Sequence, residues 1–306
     1  MSVAYAIASN TFRESIRQPV YWAVVLLTAS LMMLSVIFAG FALGEESKLV
    51  RDAGLTSITI AGLLLAMFLS SNVVADEIEK KTALSVLCKP VHRYQFIVGK
   101  YIGICCSIVI AYIILTLILY GTVWWYESPI RYGLYIKAWW AGQPINPQLL
   151  SGEYPEDIVK NPITTSLLLS TFGSDISSFF TQVFPNLLTG VFLSLCEVAV
   201  LTSAAVAIST RVSMILNVCI TLSLFIVGHQ IGYFMHILSG GDQPGVIATL
   251  VRRLVPNFEF LNYASDIAFG KVVPITLVAQ SALYTLGWVA VFLALAVVLF
   301  DEREIA

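Results

Sequence analysis

The chain has 306 residues, of which 58% are apolar and only 12% charged, and its mean hydropathy is +0.85. Soluble domains carry roughly twice that share of charge, so a water-soluble globule and a disordered chain are both excluded. A net charge of -2 removes the basic surface that a nucleic-acid binder needs, and a polytopic membrane protein remains.

Residues 1–19 come first. Ala4, Ala8, Phe12 and Ile16 recur at spacing four with Val3 and Ile7 beside them, while Ser9, Asn10, Arg13, Glu14 and Arg17 occupy the other side. This pattern predicts an amphipathic helix closed by Pro19. It is expected in the headgroup plane, with its arginines toward anionic lipid. No basic residue precedes the first apolar run, and Arg13 and Arg17 follow an amphipathic stretch, so the segment does not read as a cleavable signal.

A membrane-spanning helix needs about 20 mostly apolar residues. Six segments qualify: Val20–Leu43, Leu55–Val74, Ile102–Trp124, Phe184–Ile208, Met214–Leu238 and Val273–Phe300. The predicted fold is all-α, one transmembrane domain over residues 1–306 with six spanning helices. The apolar stretch Ile163–Phe172 is too short to cross and reads as interfacial. Basic residues are densest on the side holding both termini, with five in Ala75–Tyr101 alone, so an N-in/C-in orientation is expected.

The loop between the second and third spans, residues 75–101, is the most informative. Asp76 can cap a helix in which Ile78, Leu84 and Leu87 alternate with Glu77, Glu79, Lys80 and Lys81. Lys89-Pro90 stops it, because a residue before proline is biased out of the α region. His92-Arg93 then begins a second short turn leading through Gly99-Lys100 into the third span. The loop reads either as a basic segment obeying the positive-inside rule or as a docking surface for a soluble partner.

Two outer loops are expected, at 125–182 and 239–272. The first carries Trp124-Trp125-Tyr126 at the span's end, which suits an interfacial belt, and Trp139-Trp140 within the loop itself. Within the spans, Glu197 is the one acidic residue deep in an apolar run. A tight turn about Arg211 between the fourth and fifth spans sets it near the level of Phe225–Val227, roughly one helical turn from His229 and Gln230. Glu197 with His229 or Gln230 is either a polar pair on a translocation route or an interhelical hydrogen bond that fixes packing.

The five cysteines form no CxxC pair, and no histidine has metal-ligand spacing to Cys, Asp or Glu. No nucleophile, base and orienter set is visible, and G-x-x-x-x-G-K-[ST] is missing, so neither catalysis nor nucleotide binding is expected of this chain.

The chain resembles the six-helix permease subunits of ABC exporters of the type V fold, including those of copper-processing and nitrous-oxide-reductase maturation systems. The residues carrying the likeness are Asn10–Arg17, the run from Asp76 through Lys100, Ser209–Ser213, Val255–Glu259 (V-P-N-F-E) and Phe300–Glu304. The resemblance implies that the N-terminal helix, with Phe12, Arg13 and Arg17, is the family's elbow helix. It implies that Asp76, Glu77, Glu79, Lys80, Lys89, Pro90 and Arg93 form the coupling region, with Arg211 in a second contact. A separate ATPase subunit carrying ATP and Mg2+, a second permease copy or related permease, and the bacterial cytoplasmic (inner) membrane follow from it too. The long loop 125–182 departs from the family's commonest form.

A different class is the ion-gradient-driven secondary transporter with Glu197 as proton site, whose folds usually show inverted repeats and helices broken at mid-membrane. Neither is visible in the sequence. A membrane-embedded enzyme lacks a catalytic set.

Overall fold

A computed structural model of the chain describes residues 3–39, 46–72, 93–140, 181, 183–231, 233 and 255–303. Its helices, in order, are α1 (Val3–Arg17), α2 (Pro19–Ala39), α3 (Glu46–Ser70), α4 (Arg93–Trp140), α5 (Phe184–Ser209), α6 (Met214–His229), α7 (Ala264–Ala268) and α8 (Ile275–Arg303). No strand occurs among the described residues. By length and composition α2, α3, α4, α5 and α8 can cross a bilayer, whereas α6, at 16 residues, is shorter.

Helix α5 is the axis of the bundle. Its most apolar window is 78% buried, against 17% for α8, so α5 is surrounded by protein and α8 lies at the periphery. Residue size explains the position. Gly190, Ser194, Thr202, Ser203, Ala204, Ala205 and Ala207 keep α5 thin, and small residues let helices approach closely where lipid supplies no hydrophobic drive between them. The outer faces of α2, α6 and α8 instead expose large apolar residues such as Leu26, Ile215 and Leu283, as lipid-facing surfaces do.

A chain of hydroxyls ties α5 to α3 and α4. Thr59 Oγ1 donates to Leu55 O at 3.1 Å, so its oxygen is left to accept from Ser194 Oγ at 2.8 Å. Ser194, having given its proton, accepts from Tyr112 Oη at 2.9 Å. One direction of donation therefore satisfies all three hydroxyls, of which Tyr112 and Ser194 are buried and Thr59 half-buried.

Helix α1 lies along the first turns of α4 rather than only on a lipid surface. A Cβ added to Gly99 would meet Ala4 O and Ile7 Cβ at 3.0 Å, and one added to Gly103 would meet Thr11 Cβ at 2.6 Å and Ala8 O at 2.7 Å. Ser107, a further turn along, donates to Phe12 O at 3.5 Å. The contacts advance together on both helices, so the two run parallel. The face fully buried is Thr11 and Ser15, both 0% exposed, not the expected line of Phe12 and Ile16. The glycine groove of α4 selects small residues, and Phe12 is half-buried beside it. Arg13 and Arg17 are exposed.

Three boundaries differ from the sequence expectation. Helix α3 begins at Glu46, well before Leu55, because Lys48, Arg51 and Asp52 continue the helix past the apolar run. Helix α4 spans 48 residues, about 72 Å, where a hydrocarbon core is about 30 Å thick. It absorbs Arg93–Tyr101, expected as a separate turn, and Trp125–Trp140, expected as loop; Trp139-Trp140 form its last turn. Lys100, expected in the loop, is buried within α4 at 2% exposure. The third difference is α6, which is interrupted after His229, with Ile231 and Tyr233 again helical; residues 234–238 of the expected span lie outside the described residues.

A candidate functional site at the break of α6

The end of α6 meets residues 255–263, which enter the bundle without helical structure. Gly228 makes this possible. Its carbonyl accepts the Phe258 N–H at 3.1 Å, and a Cβ at Gly228 would stand 2.3 Å from Phe258 Cδ2. Phe258 is wholly buried among Leu63, Met67, Cys196, Val200 and Leu201, from α3 and α5. The Asn257 N–H donates to Tyr284 Oη of α8 at 2.6 Å, and Asn257 Oδ1 accepts from the Glu259 N–H at 3.0 Å. Irregular backbone at membrane depth is tolerated where protein satisfies it in this manner. The sequence showed no broken helix; the structure interrupts α6 after His229, level with the middle of α5.

Glu197 sits at that middle and is 2% exposed. Its Oε1 lies 3.4 Å from His229 Nε2 and has no hydrogen-bond partner among the described residues. The other ring nitrogen, His229 Nδ1, is 3.2 Å from Phe225 O. The imidazole is held between two aromatic rings, Phe225 at 4.4 Å and Phe258 at 5.8 Å between centroids. Gln230 does not join the pair: its backbone N–H caps α6 on Ile226 O and Val227 O, and its side chain is exposed. A carboxyl and an imidazole facing each other in an apolar bundle can hold a proton, a hydrogen bond or a donor group of a passing molecule.

One end of the bundle gathers the turn Ser209–Ser213, the start of α4 and the ends of α3 and α8. Arg211 Nε donates to Leu299 O at 2.8 Å, Phe96 stacks on Phe300 at 5.8 Å, and Asn217 Nδ2 donates to Ser70 and Ser71 Oγ at 3.2 and 2.8 Å. Residues 73–92 connect α3 to α4 at this end. Asp76, Glu77, Glu79, Lys80, Lys89 and Pro90 lie outside the described residues, and Arg93 is the first residue of α4. The loops expected at 125–182 and 239–272 are described only at their edges. At the far end, Lys48 Nζ lies 3.2 Å from the centre of the Phe269 ring and Lys271 pairs with Asp266 at 2.8 Å.

Sequence reasoning quoted Asn257 and Phe258 only as part of V-P-N-F-E, with no role in this site, and passed over Tyr284 and the hydroxyl chain from Tyr112 to Thr59. The polar triplet Gly228-His229-Gln230 inside an apolar run was the local signal for a break. Nothing local pairs Asn257 with Tyr284.

A thin central helix, five helices able to cross a bilayer and a shorter one broken at mid-depth define a polytopic helical membrane protein. The model of the ABC-2 family transporter proteins matches residues 5–305. The chain belongs to that family and is an ABC transporter permease. No curated protein matches the sequence.

Proposed function

We propose that this chain is the six-span, N-in/C-in permease subunit of an ATP-driven exporter in the bacterial cytoplasmic membrane. It works beside a second permease copy or a related permease, and a separate ATPase subunit holds the ATP and Mg2+. Family membership over nearly the whole chain is the observation that carries this reading. The end of the bundle with the Ser209–Ser213 turn is then cytoplasmic. There the ATPase meets the segment from Asp76 to Arg93, with Arg211 beside it. Closure of the ATPase pair on ATP moves that segment, and α3 and α4, which flank it, pass the movement into the spans.

Charge reversal at Glu77, Glu79 or Arg93 is expected to uncouple ATP hydrolysis from transport by tenfold or more, about 1.4 kcal/mol, while leaving the chain in the membrane. Normal coupling in all three variants overturns the docking role. The break in α6 favours a second reading, an ion-gradient-driven transporter using Glu197. Co-purification with a chain that carries a phosphate-binding loop decides for the ATP-driven reading. Transport that persists without such a partner decides against it.

A further inference from the structure

We infer that Glu197 and His229 bind one exchangeable proton between them, and that this proton holds α6 against the 255–263 segment. The inference does not depend on which energy source drives transport.

The hydrogen positions follow from chemistry. A carbonyl oxygen only accepts, so Nδ1, facing Phe225 O at 3.2 Å, carries a hydrogen. A neutral imidazole then turns the bare lone pair of Nε2 toward Glu197, and an ionised carboxylate is also only an acceptor. Two acceptors 3.4 Å apart, one of them 2% exposed, repel each other.

A single proton removes the conflict, as carboxylic acid against neutral imidazole or as carboxylate against imidazolium. Both arrangements are electrically neutral as a pair. Adding a second proton or removing the first leaves a net charge in the middle of the bundle, where a charge is costly.

The surroundings supply no substitute cation. Among the described residues no lysine or arginine lies within ion-pair distance of Glu197. The titratable groups around the pair are Cys196 on α5, Tyr112 from α4, Tyr284 from α8 and Glu259 from the 255–263 segment. The Tyr112 hydroxyl is spent on Ser194, and Tyr284 Oη accepts from Asn257. The Glu259 side chain is exposed. Leu63 and Met67 of α3 bring none.

The proton acts on the joint through the ring. The His229 ring lies tilted against Phe258 at 5.8 Å between centroids, and the neighbouring Gly228 carbonyl holds the Phe258 N–H at 3.1 Å. When the proton leaves, the two acceptors separate, and the imidazole draws the end of α6 away from Phe258, which loosens the Phe258 N–H bond to Gly228 O.

The test uses the full chain in lipid nanodiscs with 15N-labelled histidine, titrated from about pH 5 to about pH 9. His229 signals are identified by their loss in His229→Gln. The expected result is an Nδ1–H ring at every pH, with one step in the Nε2 signal. The infrared carboxyl or carboxylate band of Glu197 should change in the same step and be missing from Glu197→Gln. Amide exchange at Phe258, corrected for its intrinsic pH dependence, is expected to rise about tenfold above that step, as local opening becomes easier.

A ring protonated on Nε2 with a bare Nδ1 overturns the assignment. Carboxyl and imidazole steps at unrelated pH values overturn the shared proton, and unchanged exchange at Phe258 overturns the coupling. If Glu197→Gln fails to fold, the wild-type infrared and nitrogen titrations still decide.

Discussion

Replacing Gly228 with alanine tests whether the 255–263 segment is wedged against α6. In an ordinary helix the change stabilises by about 1 kcal/mol, since glycine is the poorer helix former. Here the new Cβ would stand 2.3 Å from Phe258 Cδ2, 2.7 Å from Cε2 and 2.9 Å from Pro256 O. An ordinary contact needs more than an ångström of extra room. Phe258, fully buried against Leu63, Met67, Val200 and Leu201, has nowhere to withdraw.

Overpacking of this kind costs about 1–3 kcal/mol, and losing the Phe258 N–H bond to Gly228 adds about 1 kcal/mol. The helix gain offsets part of this, so net destabilisation of about 1–3 kcal/mol is expected. Thermal unfolding of the detergent-solubilised chain measures it. In Gly228→Ala with Phe258→Leu the smaller side chain leaves room for the methyl group. The double mutant should therefore be more stable than the sum of the singles by about 1 kcal/mol. A Gly228→Ala protein as stable as the wild type, or strictly additive effects, would refute the wedge.

Gly103→Val should lift α1 from α4, because its Cβ meets the backbone carbonyl of Ala8 at 2.7 Å; faster tryptic cleavage at Arg13 and Arg17 measures this. Ser194→Ala should cost about 1 kcal/mol and Tyr112→Phe less, as read from thermal midpoints. Removing Ser194 strands the Tyr112 proton without an acceptor, whereas removing the Tyr112 hydroxyl leaves Ser194 still donating to Thr59. The reverse order would mean that donation runs the other way.

Hydropathy located most of the helices because burial in lipid or in the bundle demands the same apolar side chains. The fourth predicted span, Phe184–Ile208, matches α5 almost residue for residue. Hydropathy failed where a helix outlasts its apolar stretch. Lys48, Arg51 and Asp52 are good company for a headgroup and continue α3, and α4 runs on past Trp124 for the same reason. It also failed where the deciding partner is distant in sequence. The stop at His229 is set by Phe258 and Asn257, about thirty residues on, and the buried face of α1 is chosen by Gly99 and Gly103. The pairing of Glu197 with His229 was within reach of simple geometry, because the tight turn at Arg211 aligns the two helices and counting residues gives their depth. Choosing His229 over Gln230 required knowing which residue caps the helix.

The length of α4 has a mechanical consequence. From Arg93 to Ser128, before Pro129 interrupts its hydrogen bonding, the helix rises about 54 Å. If such a rod pivots by about 5° about its middle, each end sweeps about 2.4 Å, in opposite directions. Helix α1, laid along the near end, splints the rod where force would enter, and the hydroxyl of Tyr112 pins it to α5 about halfway along. With Tyr112 as the fulcrum, a displacement at the Arg93 end arrives at the opposite face of the bundle with about the same size and reversed direction.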